Sequence, residues 1–247
     1  MTQTELSYLV DYAQRSFRDI ADTDYIAARA CHRLGLDQQF LWCALQSVEK
    51  YIKGILLFNE RSTKKLGHDL KKAFDALFRI VDINFQFTSD IEGYIQYLNI
   101  AGPNRYFTYP YKTNANDLLM LDKTVWHLRR YCQYLRSNVP GLDQNQSLKF
   151  NLDIIHGPLI AKTPMVFRIT NGFLENLITK KNSPMRNTLI WKNFYFGAKA
   201  KSKRTMITWR TSAAQPPHFA RRESYVVLRN YVQFERMIEE HFGFKVK

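Results

Sequence analysis

Arginine and histidine stand near one another twice in this chain, at Arg61 and His68 with six residues between them and at Arg236 and His241 with four. Together the two side chains could grip or cut a phosphodiester. An imidazole titrates near neutrality, so it can take the proton from a ribose 2′-hydroxyl or give one to a leaving oxygen. A guanidinium can stabilise the charge that develops on the phosphate. Spacing alone is not specific, because 18 arginines and 6 histidines in 247 residues produce about one such coincidence by chance. The elements that carry the pairs have to decide.

Those elements begin with a long amphipathic helix after Asp37, which serves as its expected cap. Leu41, Leu45, Val48, Ile52 and Ile55 recur at steps of three and four and form one buried stripe. Glu49 and Lys53 lie one turn apart and are expected on the solvent side. Trp42, Tyr51 and Phe58 widen the apolar face beyond what one partner would cover, which predicts a place in the middle of a bundle. A basic connector follows, and Gly67-His68-Asp69-Leu70 opens the next helix, continued by Ala73, Phe74, Leu77 and Val81. Upstream, Leu6, Leu9, Val10, Ala13 and Phe17 predict a first helix and Tyr25 to Leu34 a second, with Asp22 or Thr23 as its cap. Downstream, Ser89 and Glu92 read as a capping box. Leu118, Leu121, Val125, Leu128, Cys132 and Leu135 predict a last bundle helix.

The pattern then changes period. Asn138 to Gln146, with Pro140 and Gly141, is the predicted domain boundary, giving units 1–138 and 139–247. Leu148, Phe150, Leu152 and Ile154 alternate with polar residues and predict a half-buried strand closed by Gly157-Pro158. Met165 to Ile169 and Thr205 to Arg210 are further predicted strands, with a short helix from Phe173 to Ile178 between them. Tyr225 to Phe242 suits a helix better than a strand. The expected class is α+β: an all-α antiparallel helical bundle followed by a small basic mixed α/β domain.

Charge separates the halves as well. Residues 1–140 carry 18 Lys/Arg against 15 Asp/Glu, whereas residues 141–247 carry 18 against 7, so nearly all of the net +14 is C-terminal. Between Glu175 and Glu223 there is no acidic residue, while Lys180, Lys181, Arg186, Lys192, Lys199, Lys201, Lys203, Arg204, Arg210, Arg221 and Arg222 accumulate. Trp191, Phe194, Tyr195, Phe196 and Trp209 are interleaved with them. Such a stretch suits phosphates held electrostatically, with rings or guanidinium planes stacked on bases; a solvated basic face over core aromatics is the alternative. Cys31, Cys43 and Cys132 lack the number and spacing of a disulfide framework or zinc site. No apolar run is long enough to span a bilayer and no signal-peptide core opens the chain, so a cytoplasmic location without membrane attachment is expected. Nothing in the residues requires a cofactor or a metal.

The run from about Asp22 to Leu135 resembles a HEPN domain (higher eukaryotes and prokaryotes nucleotide-binding). The matching residues are Tyr25, Ala27, Ala28 and Arg29 on an early helix, Glu49 to Lys53 on the next, Gly67 to Leu70 at the opening of the third, and Arg105-Tyr106 after the fourth. The resemblance implies an all-helical bundle, a homodimer, a role in bacterial defence or toxin biology, and an antitoxin or nucleotidyltransferase as partner. Catalytic members cleave RNA without metal, using an arginine and a histidine with four to six residues between them. On that basis Arg61 and His68 are the candidate catalytic pair, and Arg105 and Tyr106 either add a phosphate contact or order the loop that contains Pro110. The family's pair generally lies on a later helix, where His127 has Arg129 and Arg130 after it and no arginine at the required spacing before it. RNA binding, with metal-independent endoribonuclease activity if the pair is competent, is therefore one expectation. A non-enzymatic module that binds a nucleotide or an acidic protein is the other. The nucleic-acid contacts expected in the second half are Trp191, Lys192, Lys199, Lys201, Lys203, Arg204 and Arg210.

Overall fold

A computed structural model describes residues 2–197, 211–232, 234 and 236–243. Lys199, Lys201, Lys203, Arg204 and Arg210, and the strand expected at 205–210, lie outside the described residues.

The chain starts as a helical rod. Helix α1 (Gln3–Tyr12) opens on a complete capping box between Thr2 and Glu5, runs through a π-helical turn (Ala13–Arg18), and continues as α2 (Asp19–Leu34). The expected cap at Asp22 or Thr23 is therefore not a cap. The helix is already under way there, and Asp22 is a fully buried interior residue. Gly35, at φ +76°, ends α2: its left-handed conformation lets the Leu36 amide reach back to the Cys31 carbonyl at 2.9 Å. Helix α3 (Asp37–Phe58) follows at once, with Leu36 at the cap position and Asp37 in the first turn, where its charge favours the helix N-terminus without capping it. So short a turn folds α3 back onto α2, and these two make the most extensive helix contact among the described residues.

Helices α4 (Leu70–Leu77), α5 (Ser89–Ala101) and α6 (Asp117–Arg129) pack around α3. Leu45, Val48, Ile52, Phe74, Val125 and Leu128 are all at most 3% exposed and share one core, as their periodicity requires. Gly102, just past α5, is pressed against Leu45, since a Cβ there would lie 2.6 Å from the leucine Cβ. The Ser89–Glu92 box is not formed; Asp90 instead accepts from the Ile91 amide at 3.1 Å and from the Thr88 hydroxyl. Helix α6 stops at Arg129, six residues short of the expected end. Tyr131 and Cys132 tighten into i+3 hydrogen bonds, and Cys132 and Leu135 still reach the core.

The largest correction lies at 144–160. The predicted strand is helix α7 (Gln144–Ile160), opened by a capping box in which Asp143 accepts from the Gln146 amide and Gln146 reaches back. Its inward stripe is Leu148, Leu152, Ile155 and Leu159, at helical steps, while Phe150 and Ile154 point outward at 46% and 51% exposed. Two apolar residues on the solvent face had filled in an alternating pattern. Pro164–Val166 is a short 3-10 turn rather than the start of a strand. Helix α8 (Phe173–Thr179) falls where a short helix was expected, and α9 (Pro184–Ile190) follows it. The helix expected over 225–242 is split into α11 (Arg222–Leu228) and α12 (Arg236–His241), preceded by α10 (Pro217–Ala220).

The described chain is thus mostly helical. Its β structure is one antiparallel pair, β1 (Tyr111–Thr113) with β2 (Ser212–Ala214). The hydrophobic core does not break near residue 138, for Leu148, Ile155, Leu174, Leu177, Leu189 and Phe196 belong to the same cluster as Val48 and Val125. A smaller cluster of Tyr109, Tyr225, Phe234 and Ile238 seats the C-terminal helices on the loop after α5.

Candidate functional site

Buried charge first shows which ionisable residues are structural. Arg129, 1% exposed, lies between two carboxylates: its Nε and Nη2 donate to Asp22 at 2.7 and 2.9 Å, and its Nη1 and Nη2 donate to Glu175 at 2.7 and 2.8 Å. Glu175 also accepts from the Ile169 amide at 3.1 Å. Burial opposes its charge, but Arg129 outweighs burial and holds the carboxyl below the ordinary glutamate value. Two turns along α2 from Asp22, Arg29 pairs with Asp122 on α6 and donates to the Thr188 and Trp191 carbonyls, while Tyr25 donates to Asp122 at 2.6 Å and accepts from Asn193 at 2.8 Å. Burial lifts both Asp22 and Asp122 above the usual aspartate value, with Arg129 and Arg29 pulling against it. Tyr25 and Arg29 therefore stitch residues 188–193 to α2 and α6. They are closed off from solvent and cannot meet a substrate.

His127 is structural for the same reason. It is 2% exposed, donates from Nδ1 to the Gln86 carbonyl at 3.3 Å, and lies beside the Arg130 guanidinium. Burial, then Arg130, pushes its pKa down to about 3. Such an imidazole stays neutral at any ordinary pH and is not placed for proton transfer. Arg130 is itself held by the Ile155 carbonyl at 3.0 Å.

The candidate pair of Arg61 and His68 lies on the connector between α3 and α4, which folds back along α3. Gly67 turns at φ +57°, and its carbonyl accepts from Lys53 at 2.6 Å. His68 then sets Nδ1 3.0 Å from Glu49, with the rest of its ring largely in solvent. Glu49 and Lys53, expected on the solvent side, are covered by this connector: Glu49 is 4% exposed and pairs with Lys53 at 2.5 Å. Asp69 caps α4, accepting from the Lys72 amide at 2.9 Å. Arg61 is tied elsewhere, its amide donating to the Leu56 carbonyl at 2.8 Å. Seven residues of helix separate Glu49 from Leu56, a rise of about 10 Å. The two side chains do not share a contact, and His68 does not line the cavity that Arg61 lines.

That cavity is the most suggestive feature among the described residues. It measures about 570 Å³ and is lined by Leu56, Arg61, Ser62, Lys64, Lys65, Leu66, Lys72, Ala76 and Arg79. Five cations stand around an apolar floor, and no carboxylate lines it. Lys72 fixes the geometry by donating to the Lys65 carbonyl at 2.8 Å, which ties the connector to α4. Arg61, Lys64, Lys65 and Arg79 form no ion pair with a described carboxylate. A second cavity of about 640 Å³, between β1 and β2, has only Lys112 as a charged lining residue. Sequence reasoning had noted the connector as basic but missed Lys64, Lys65, Lys72 and Arg79 as a set. The available signal was Lys72 and Ala76 one turn apart on α4, with Arg79 just past its end, facing a connector with three cations.

The remaining candidates are scattered. Arg105 lies 4.2 Å over the Trp42 ring and 5.8 Å from that of Tyr106, which is 83% exposed. The loop they occupy is ordered by Asn104, which donates to the Tyr109 carbonyl at 2.6 Å and accepts from the Thr108 amide at 2.8 Å. Trp191 is half-buried, with Arg33 and Lys192 each 5.0 Å from its ring centre. His241 stacks on Phe219 at 4.9 Å, far in the chain from the cavity. Among the described residues no helix is long and apolar enough to cross a membrane. Compared with protein-family models, curated proteins and solved structures, the chain matches none.

Proposed function

We propose that this is a nucleic-acid-binding protein of HEPN-like class, with RNA as the favoured ligand, that holds phosphates in the cleft between the α3–α4 connector and α4. The observation that carries the reading is the set of five cations around one cavity with no lining carboxylate. Left without an anion, those charges repel one another; a polyanion relieves that repulsion and releases its own counterions. The net charge of +14 works in the same direction by steering a polyanion towards the protein.

The reading is of a binder rather than a ribonuclease. His68 meets Glu49 while Arg61 faces the cleft, so the pair lacks the shared geometry that general acid–base chemistry on one phosphate needs. The test is incubation of labelled single-stranded RNA with the protein in the presence of a chelator. Retarded but intact RNA is the expected result. Cleavage that His68→Ala abolishes would replace this reading with catalysis, and RNA neither retarded nor cut would end it.

A further inference from the structure

We infer that the cleft is an end-binding site: it takes the terminal phosphomonoester of a nucleic-acid strand, an inference that rests on the nucleic-acid reading above. Size is the first reason. At about 570 Å³ the cavity has the dimensions of a small-molecule pocket, roughly 300–1,000 Å³, whereas a strand passing through would need a groove several nucleotides long. Leu56 on α3 forms the floor; the connector and α4 form the sides.

Charge is the second reason. A phosphodiester brings one negative charge per nucleotide, but a phosphomonoester carries about −1.5 to −2 at pH 7 and offers three acceptor oxygens. Five cations around one cavity match the doubly charged group better. Arg61 and Arg79 can each present a planar fork to it. The third reason is what the lining lacks. Ser62 is its one uncharged polar side chain, and Leu56, Leu66 and Ala76 are apolar, so a terminal base would sit on the floor without being read by its edge.

The test is competition against a labelled RNA by four unlabelled forms of one short single-stranded sequence: 5′-phosphorylated, 3′-phosphorylated, hydroxyl at both ends, and circular. One or both phosphorylated ends should compete about tenfold better than the hydroxyl form at pH 7.5. The advantage should shrink at pH 5.5, below the second phosphate pKa of about 6. It should vanish in the double variant Lys65→Gln with Arg79→Gln, whose exposed side chains leave the core untouched. Equal competition by all four forms would overturn the end-binding inference and leave nucleic-acid binding in place. Failure of every form to bind would overturn both.

Discussion

Replacing His127 by Asn should remove a specific acid sensitivity from the fold. The imidazole is 2% exposed, its Nδ1 donates to the Gln86 carbonyl at 3.3 Å, and its pKa is pushed down to about 3 by burial and the neighbouring Arg130. In the unfolded chain the same group titrates near 6.5. The folded pKa is the lower one, so between the two values the unfolded state binds one more proton than the folded state. Stability from this residue is fully present above about pH 6.5 and is lost as the pH falls towards 3. The slope is about 1.36 kcal/mol per pH unit, which makes the loss between pH 6.5 and pH 5 about 2 kcal/mol. Asn keeps an N–H donor near the Nδ1 position but does not titrate. Urea unfolding of both proteins at pH 7 and pH 5 measures the effect. All other groups titrate in both, so the parent should lose about 2 kcal/mol more than the variant, with unchanged m-values. Equal losses would show that His127 is not held neutral by burial, and the reasoning that excludes it from proton transfer would fall.

Arg129→Met leaves Asp22 and Glu175 buried without their cation and should cost about 3–5 kcal/mol in urea unfolding; a cost below 1 kcal/mol would mean that the carboxylates find other partners. Asp143→Ala removes the cap of α7 and should cost about 1 kcal/mol, with a matching loss of helical circular dichroism, whereas no change would favour the strand that alternation suggested. Asn104→Ala frees the loop of residues 104–109 and should raise amide exchange there, while Arg105→Ala should leave exchange unchanged.

The core was largely legible from the sequence, because Leu45, Val48 and Ile52 on α3 and Leu121, Val125 and Leu128 on α6 keep helical steps and face inward. Helix α7 reads as a strand because Phe150 and Ile154 are apolar yet exposed and complete an alternating pattern, although the Asp143–Gln146 capping box marks a helix start. The Asp22–Arg129–Glu175 cluster could not be seen. Its members lie 107 and 46 residues apart, and single charged residues are expected at the surface until a fold brings partners to them. The cleft was half visible: the connector's cations are adjacent in sequence, but their meeting with Lys72 and Arg79 depends on how the connector returns along α3.

The central claim is that phosphates are held at the cleft, and the salt dependence of RNA affinity tests it most directly. Each cation that neutralises a phosphate of a single strand contributes about 0.7 to the slope of log K against log salt. Because the cleft takes one terminal phosphate of at most two charges, replacing Arg61, Lys65 and Arg79 together with Gln should lower that slope by about 1, while replacing Lys201, Lys203 and Arg204 should lower it less. An unchanged slope in the first variant, with the larger drop in the second, would contradict the account and assign the binding to the basic stretch that follows Trp191.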